Sequence, residues 1–209
     1  MSPRSGYLLI AEDDPDILKL LHTTLTFRDY RVITAPNGKD GLEIIRKELP
    51  ALVIADIMMP KLDGFGLVHR LRINPATRNI PVIFITATYV APEDKEFALT
   101  IGVTRFIQKP VDLEMLLKVI AELMDQDAIP AMEPMKEFSF YEGYRLRLET
   151  KLAQKNREIA RDEHLLKSRT GDQDQFLRVA LRHSVTERDE LKLLLEQVYK
   201  QLAAFPKAN

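Results

Sequence analysis

Five short apolar runs punctuate the first 125 residues: YLLIA (7–11), RVITA (31–35), ALVIA (51–55), PVIFI (81–85) and RFIQ (105–108). Four of them are continuous rather than alternating, the pattern of strands buried on both faces. Between the runs, apolar residues recur at helical spacing. Ile17, Leu21 and Leu25 fall every fourth residue, Leu42, Ile45 and Leu49 share a face, and Leu113, Leu116, Leu117, Ile120, Leu123 and Met124 form a broad stripe. Asp14 followed by Pro15 is a helix start, a capping carboxylate and then the one residue that needs no amide partner. Strands alternating with helices predict an α/β unit over residues 1–125, a five-stranded parallel sheet with helices on both faces. Such sheets take ligands in the crevice beyond the carboxyl ends of their strands.

After residue 125 the periodicity stops. Residues 126–138 carry two prolines and read as a linker. Residues 139–209 have no strand-like run and read as an all-α region, a helical hairpin broken near SRTGDQD, with Gly171 ending one helix and aspartates starting the next. In the second helix Leu177, Leu181, Ser184, Arg188, Leu191, Leu195, Val198, Leu202 and Phe205 follow a 4-3 alternation, a coiled-coil seam. In the first helix Leu148, Leu152, Ile159 and Leu166 keep the phase, and Lys155 and Asp162 interrupt it. A lone hairpin leaves apolar surface bare, so a homodimer through these helices is expected. Phe138, Phe140, Tyr141 and Tyr144 would anchor the first helix against the α/β unit or its mate. His164 and His183 read as solvated or interface histidines ahead of a phosphotransfer role.

Composition narrows the classes. The chain has 209 residues, a formal charge of −1 and no cysteine, which removes disulfides, thiolate metal sites and thiol catalysis. Lys and Arg number 15 against 19 Asp and Glu through residue 135, and 15 against 12 beyond it. That asymmetry is too mild for a nucleic-acid face. The amino terminus lacks the apolar core of a signal peptide and no run is long enough to span a membrane, so a cytoplasmic protein is expected.

One feature of the strand runs carries chemistry. Glu12, Asp13 and Asp14 follow the first strand, Asp56 the third, Thr86 the fourth, and Lys109 with Pro110 the fifth. A parallel sheet brings these ends to one rim. Carboxylates gathered there raise one another's pKa unless a cation neutralises them. The donors are all oxygen, with no cysteine or nearby histidine, which selects a hard ion such as Mg²⁺. A carboxylate beside such an ion can attack phosphorus and form an acyl phosphate. The ion, the Lys109 ammonium and the Thr86 hydroxyl would then hold the phosphoryl oxygens. Taken singly, each residue has a plainer role: Asp56 as a strand-end cap, Asp13 and Asp14 as helix caps, Lys109 as a surface lysine, Phe106 as core.

The stretches LLIAEDD, DIMMPKLDG, ITA and FIQKP, in this order and spacing, resemble the receiver domain of two-component response regulators over roughly residues 6–125. The resemblance implies a flavodoxin-like fold in which Asp56 accepts a phosphoryl group from a sensor histidine kinase. It implies that Asp13 and Asp14 hold Mg²⁺ directly or through water, that the Met58 carbonyl adds a ligand, and that Thr86 and Lys109 complete the site. Phe106 matches the switch aromatic, which turns inward as Thr86 moves to the phosphate. Met58 and Thr88 occupy positions that tune water access, and a bulky Met58 implies slow self-hydrolysis. No second catalytic constellation is present, so no separate enzyme activity is expected. Phosphorylation would switch the helical region, with two alternatives: a transcriptional or RNA-binding regulator, or a phosphorelay adaptor that recruits a protein partner.

Overall fold

The computed structural model describes residues 6–86, 92–125, 134–168 and 174–206. The chain divides into two compact units, Met1–Lys136 and Glu137–Asn209. Among the described residues no helix is long and apolar enough to cross a membrane.

In the first unit, β1 (Leu8–Ala11), β2 (Val32–Ala35), β3 (Leu52–Ala55), β4 (Val82–Thr86) and β5 (Arg105–Gln108) alternate with five helices. These are α1 (Pro15–Phe27), α2 (Gly38–Lys47), α3 (Gly64–Ile73), α4 (Pro92–Thr100) and α5 (Leu113–Asp125). All strands are parallel, in the order β2-β1-β3-β4-β5, so the strand order reverses between β1 and β3. This is the parallel sheet that the alternation of runs predicts, in the flavodoxin-like order that the resemblance implies.

Successive residues serve opposite faces of the sheet. Leu8, Ile10, Leu52, Ile54, Ile83, Ile85 and Ile107 pack with Leu21 and Leu25 of α1 and Leu116, Ile120 and Leu123 of α5. Each such side chain, fully buried, contributes about 1.5–3 kcal/mol. On the other face Phe84 meets Phe65 of α3 edge-on at 5.6 Å, and Phe65 leans on Phe97 of α4 at 5.4 Å. The buried Arg72 guanidinium donates to the carbonyls of Gly102 at 2.7 Å, Arg78 at 2.9 Å and Ile80 at 3.0 Å. One side chain thereby fastens the loops that lead into β4 and β5. Leu49 falls outside α2, because the chain is already extended at Glu48 and Pro50 disfavours a helical residue before it.

The second unit is a pair of helices, α6 (Glu137–Ser168) and α7 (Asp174–Ala203). Their contacts run in inverse order along the two helices, which makes them antiparallel: Phe138 against the Phe205 ring, Glu149 against Tyr199, Lys155 against Glu187. Tyr144, Leu148 and Ile159 of α6 are buried, as are Leu191, Leu195 and Val198 of α7. The aromatic group at the start of α6 does not act alone: Phe138 meets Phe205 edge-on at 5.4 Å and Tyr141 lies tilted to it at 6.4 Å. Of the two residues that break the α6 stripe, Lys155 reaches across to Glu187 at 2.8 Å, and Asp162 takes a bond from Arg161 at 3.1 Å. Gly171 lies outside the described residues.

Candidate functional site

Registry assembles the site. Ala11 pairs with Ala55, so the next residues, Glu12 and Asp56, leave adjacent strands side by side at the point where the strand order reverses. The ladder continues one step past each strand: the Asp56 amide donates to the Ala11 carbonyl at 2.9 Å and the Glu12 amide to Ala35 at 3.0 Å. From β5, the Lys109 amide donates to the Thr86 carbonyl at 2.9 Å. That bond ties the lysine to the end of β4. The Lys109–Pro110 peptide is cis.

Three carboxylates meet there. One oxygen from each of Glu12, Asp13 and Asp56 lies within 4.8 Å of the others. The Lys109 ammonium bridges two of them, 2.8 Å from Glu12 Oε2 and 3.1 Å from Asp56 Oδ1. The second oxygen of Asp56 accepts from the Met58 amide at 2.7 Å, and Oε1 of Glu12 accepts from the Asp14 amide at 3.3 Å. Glu12 is 2% exposed and Asp56 6%, whereas Asp13 faces solvent.

Burial dominates the electrostatics. It pushes the Glu12 carboxyl up to about 7, helped by the Asp56 charge and opposed by Lys109. Asp56 is likewise raised by burial, with the Lys109 charge and the Met58 amide pulling the other way. Burial alone would lower Lys109, but its bond to Glu12 and the nearby Asp56 charge outweigh that and leave it raised. Three carboxylates against one ammonium leave an excess of negative charge, and the donors are all oxygen. That composition fits a hard divalent cation.

One of the acidic residues expected at the ion lies apart from this group of three. Asp14 is not in the cluster. Its Oδ1 accepts from the amides of Asp16 at 2.9 Å and Ile17 at 3.1 Å, capping α1. Glu12 joins Asp13 and Asp56 in the group, at the strand-end position where the sequence sets it, following β1 as Asp56 follows β3. Thr86 is the fully buried last residue of β4. Phe106 is half-buried and edge-on to Phe84 at 6.3 Å. It lines a cavity of about 510 Å³ with Lys95, Gln108, Pro110, Asp112 and Met115. Thr88 lies outside the described residues.

Gly64, the last residue of the DIMMPKLDG stretch, is tightly enclosed. A Cβ on it would stand 2.5 Å from the Asp56 carbonyl oxygen and 3.0 Å from the Ile57 Cα. Its amide donates to the Ile57 carbonyl at 2.9 Å. The loop from β3 to α3 therefore folds directly over the backbone of Asp56, and Asp63 caps α3 by accepting from the Gly66 amide at 2.8 Å.

Comparison with known proteins gives the family of the first unit. A family model described as "Response regulator receiver domain" matches residues 8–121. A 14.6 kDa protein from the sodA1 3′ region of Leptolyngbya boryana is 37% identical over 55% of this chain and 87% of its own length. The transcriptional regulatory protein GlrR of Escherichia coli is 37% identical over 66% of this chain but 30% of its own. Response regulator PleD of Caulobacter vibrioides is 35% identical over 57% of this chain and 26% of its own. The chain thus spans about a third or less of these last two. Among solved structures, chemotaxis protein CheY4 of Vibrio cholerae matches with a TM-score of 0.54 and 28% identity, covering 56% of this chain and 98% of its own. A receiver domain protein from Methanospirillum hungatei matches at 0.53 and 31%, covering 57% and 94%.

Proposed function

The chain belongs to the response regulator receiver family through residues 8–121, and from that premise we propose that Asp56 takes a phosphoryl group from a sensor histidine kinase and that this switches the helical region. The observation that carries the reading is Lys109 held between two buried carboxylates, Glu12 and Asp56, with Asp13 beside them. Bound at Glu12, Asp13 and Asp56, with the Met58 carbonyl as a further ligand, Mg²⁺ would neutralise phosphoryl oxygens and favour an incoming carboxylate nucleophile.

The chain's own groups do the rest. An Asp56 carboxylate oxygen attacks phosphorus, forming the P–O bond of an acyl phosphate as the P–N bond to the donor histidine breaks. Lys109 then shifts its hydrogen bonds from Asp56 to a phosphoryl oxygen, and the Thr86 hydroxyl donates to another. Drawing Thr86 toward the phosphate opens room beside Phe84 for the Phe106 ring. Phosphorylation thereby biases an existing equilibrium between two arrangements of one fold. In this reading residues 1–125 receive the phosphoryl group, 126–138 link, and 139–209 carry the output and a homodimer contact.

Intact-mass measurement after incubation with Mg²⁺ and acetyl phosphate tests the chemistry. The wild-type chain gains the mass of one phosphoryl group, and Asp56→Asn and a chelator-treated sample gain none. Equal gain by Asp56→Asn would place the acceptor elsewhere and end the proposal.

A further inference from the structure

The loop over Asp56 is held from a second side. Gly38 begins α2, and the amide of a first helical residue has no partner inside its own helix. Here it donates to the Leu62 carbonyl, in the β3–α3 loop, at 3.0 Å. The approach is close: a Cβ on Gly38 would stand 2.6 Å from that carbonyl oxygen and 3.3 Å from the Asp63 carbonyl oxygen. Glycine is required there for contact, since a Cβ would push one backbone off the other. A second tie runs beside the first, from the Lys61 ammonium to the Asp40 carboxylate of α2 at 3.6 Å. Lys61 has a φ of 64°, a left-handed conformation that its side chain disfavours and that persists where neighbours hold it.

Both ends of this bridge lead to the carboxylate group. On one side β2 ends at Ala35, whose carbonyl takes the Glu12 amide at 3.0 Å, and Gly38 follows three residues later. On the other, the Met58 amide donates to Asp56 Oδ2 at 2.7 Å, and the Gly64 amide closes the loop on the Ile57 carbonyl at 2.9 Å. The β2–α2 turn therefore spans from the backbone behind Glu12 to the loop that carries Met58. Asn37, 2% exposed, stiffens this turn. Its Oδ1 accepts from the Asp40 amide at 2.9 Å and its Nδ2 donates to Asp40 Oδ2 at 2.7 Å.

We infer that Gly38 is a positioning residue for the ion site: by clamping the Leu62 carbonyl it fixes the loop that presents the Met58 carbonyl. Ion binding at the carboxylates and order at the start of α2 are thereby coupled, each strengthening the other. The inference rests on the reading of Glu12, Asp13, Asp56 and Met58 as the Mg²⁺ site. It adds α2, which supplies no ligand, to the elements that the site's state reaches. A simpler role, with Leu62 only capping α2, would give the contact a value for stability alone.

Calorimetric titration of the full chain with Mg²⁺ separates the two roles, because an affinity is read on folded molecules and a purely structural contact does not move it. Gly38→Ala is expected to weaken Mg²⁺ binding about tenfold, the size of effect found when groups behind a metal's ligands are lost. Gly41→Ala is the control. In the same helix, its Cβ would meet the Leu9 and Ala35 side chains at 3.6 and 3.8 Å, ordinary contacts, and its affinity should match the wild type. Circular dichroism checks that both variants fold. Hydrogen exchange on the wild-type chain needs no variant. Saturating Mg²⁺ should slow exchange at the Gly38 amide about tenfold, by reciprocity of the coupling. The Tyr30 amide, bonded to the Leu25 carbonyl at 3.2 Å ahead of β2, should keep its rate. Wild-type affinity in a folded Gly38→Ala, equal weakening in Gly41→Ala, or exchange at Gly38 indifferent to Mg²⁺ overturns the inference and leaves the ion site standing. If Gly38→Ala does not fold, the exchange measurement decides alone. A wild-type chain that binds no Mg²⁺ overturns both.

Discussion

At position 12 a glutamate is bonded to Lys109 and set against Asp56, while two residues on Asp14 turns away to cap α1. Glu12→Gln is therefore expected to weaken Mg²⁺ binding about tenfold by calorimetry, because the charge of the ligand set governs affinity. Asp14→Ala should leave that affinity alone and cost about 1 kcal/mol of stability as a lost cap. The opposite pattern would return Asp14 to the metal site. Glu12 also sets a pH dependence. Its carboxyl is held near 7 against an ordinary 4.5, so the metal-free fold binds a proton there that the unfolded chain has already lost. That contribution is fully present below pH 4.5 and is lost as pH rises through about 7. Since Mg²⁺ competes with that proton, its affinity should fall as pH drops from 8 to 6. Calorimetry in two buffers of different ionisation enthalpy should reveal proton release on binding. Met58 is half-buried beside the acceptor. If it shields the acyl phosphate, Met58→Ala shortens the phosphorylated half-life, and a wild-type half-life of seconds would dismiss the shielding.

At the scale of elements, the loop between β3 and α3 matters as much as the carboxylates. A methyl group on Gly64 meets backbone at 2.5 Å, and a backbone neighbour cannot step aside as a side chain can. Gly64→Ala is thus expected to cut phosphoryl uptake from acetyl phosphate more than tenfold, through displacement of Asp56. It should also lower the thermal midpoint, by a cost in the usual overpacking range of about 1–3 kcal/mol. Normal uptake would mean the loop gives way without moving the acceptor. Helix boundaries were legible where capping chemistry is local, as at Asp14-Pro15. They were less so at Leu49, whose helical spacing continues past the point where Pro50 ends the helix.

For the whole molecule, the proposed link between the units can be tested directly. Beryllofluoride with Mg²⁺ mimics the phosphoryl group, and coupling predicts a change in mass or hydrodynamic radius of the full chain by light scattering. Asp56→Asn should abolish that change. An unchanged wild-type chain would point to recruitment of a partner rather than a switch in the helices.

The order of runs along the chain was sufficient for the parallel sheet, because strands buried on both faces leave continuous apolar runs and helices leave a period of 3.6. It also brought Asp56, Thr86 and Lys109 into view as residues at strand ends. Which acidic neighbour turns inward was another matter. Glu12, Asp13 and Asp14 are consecutive and chemically alike, and the choice among them depends on register with β3 and on which oxygen α1 claims for its cap. The crowding at Gly64 and the span of Lys109 between Glu12 and Asp56 likewise arise between segments far apart in the chain. Local pattern specifies elements, and only their packing specifies which side chains meet.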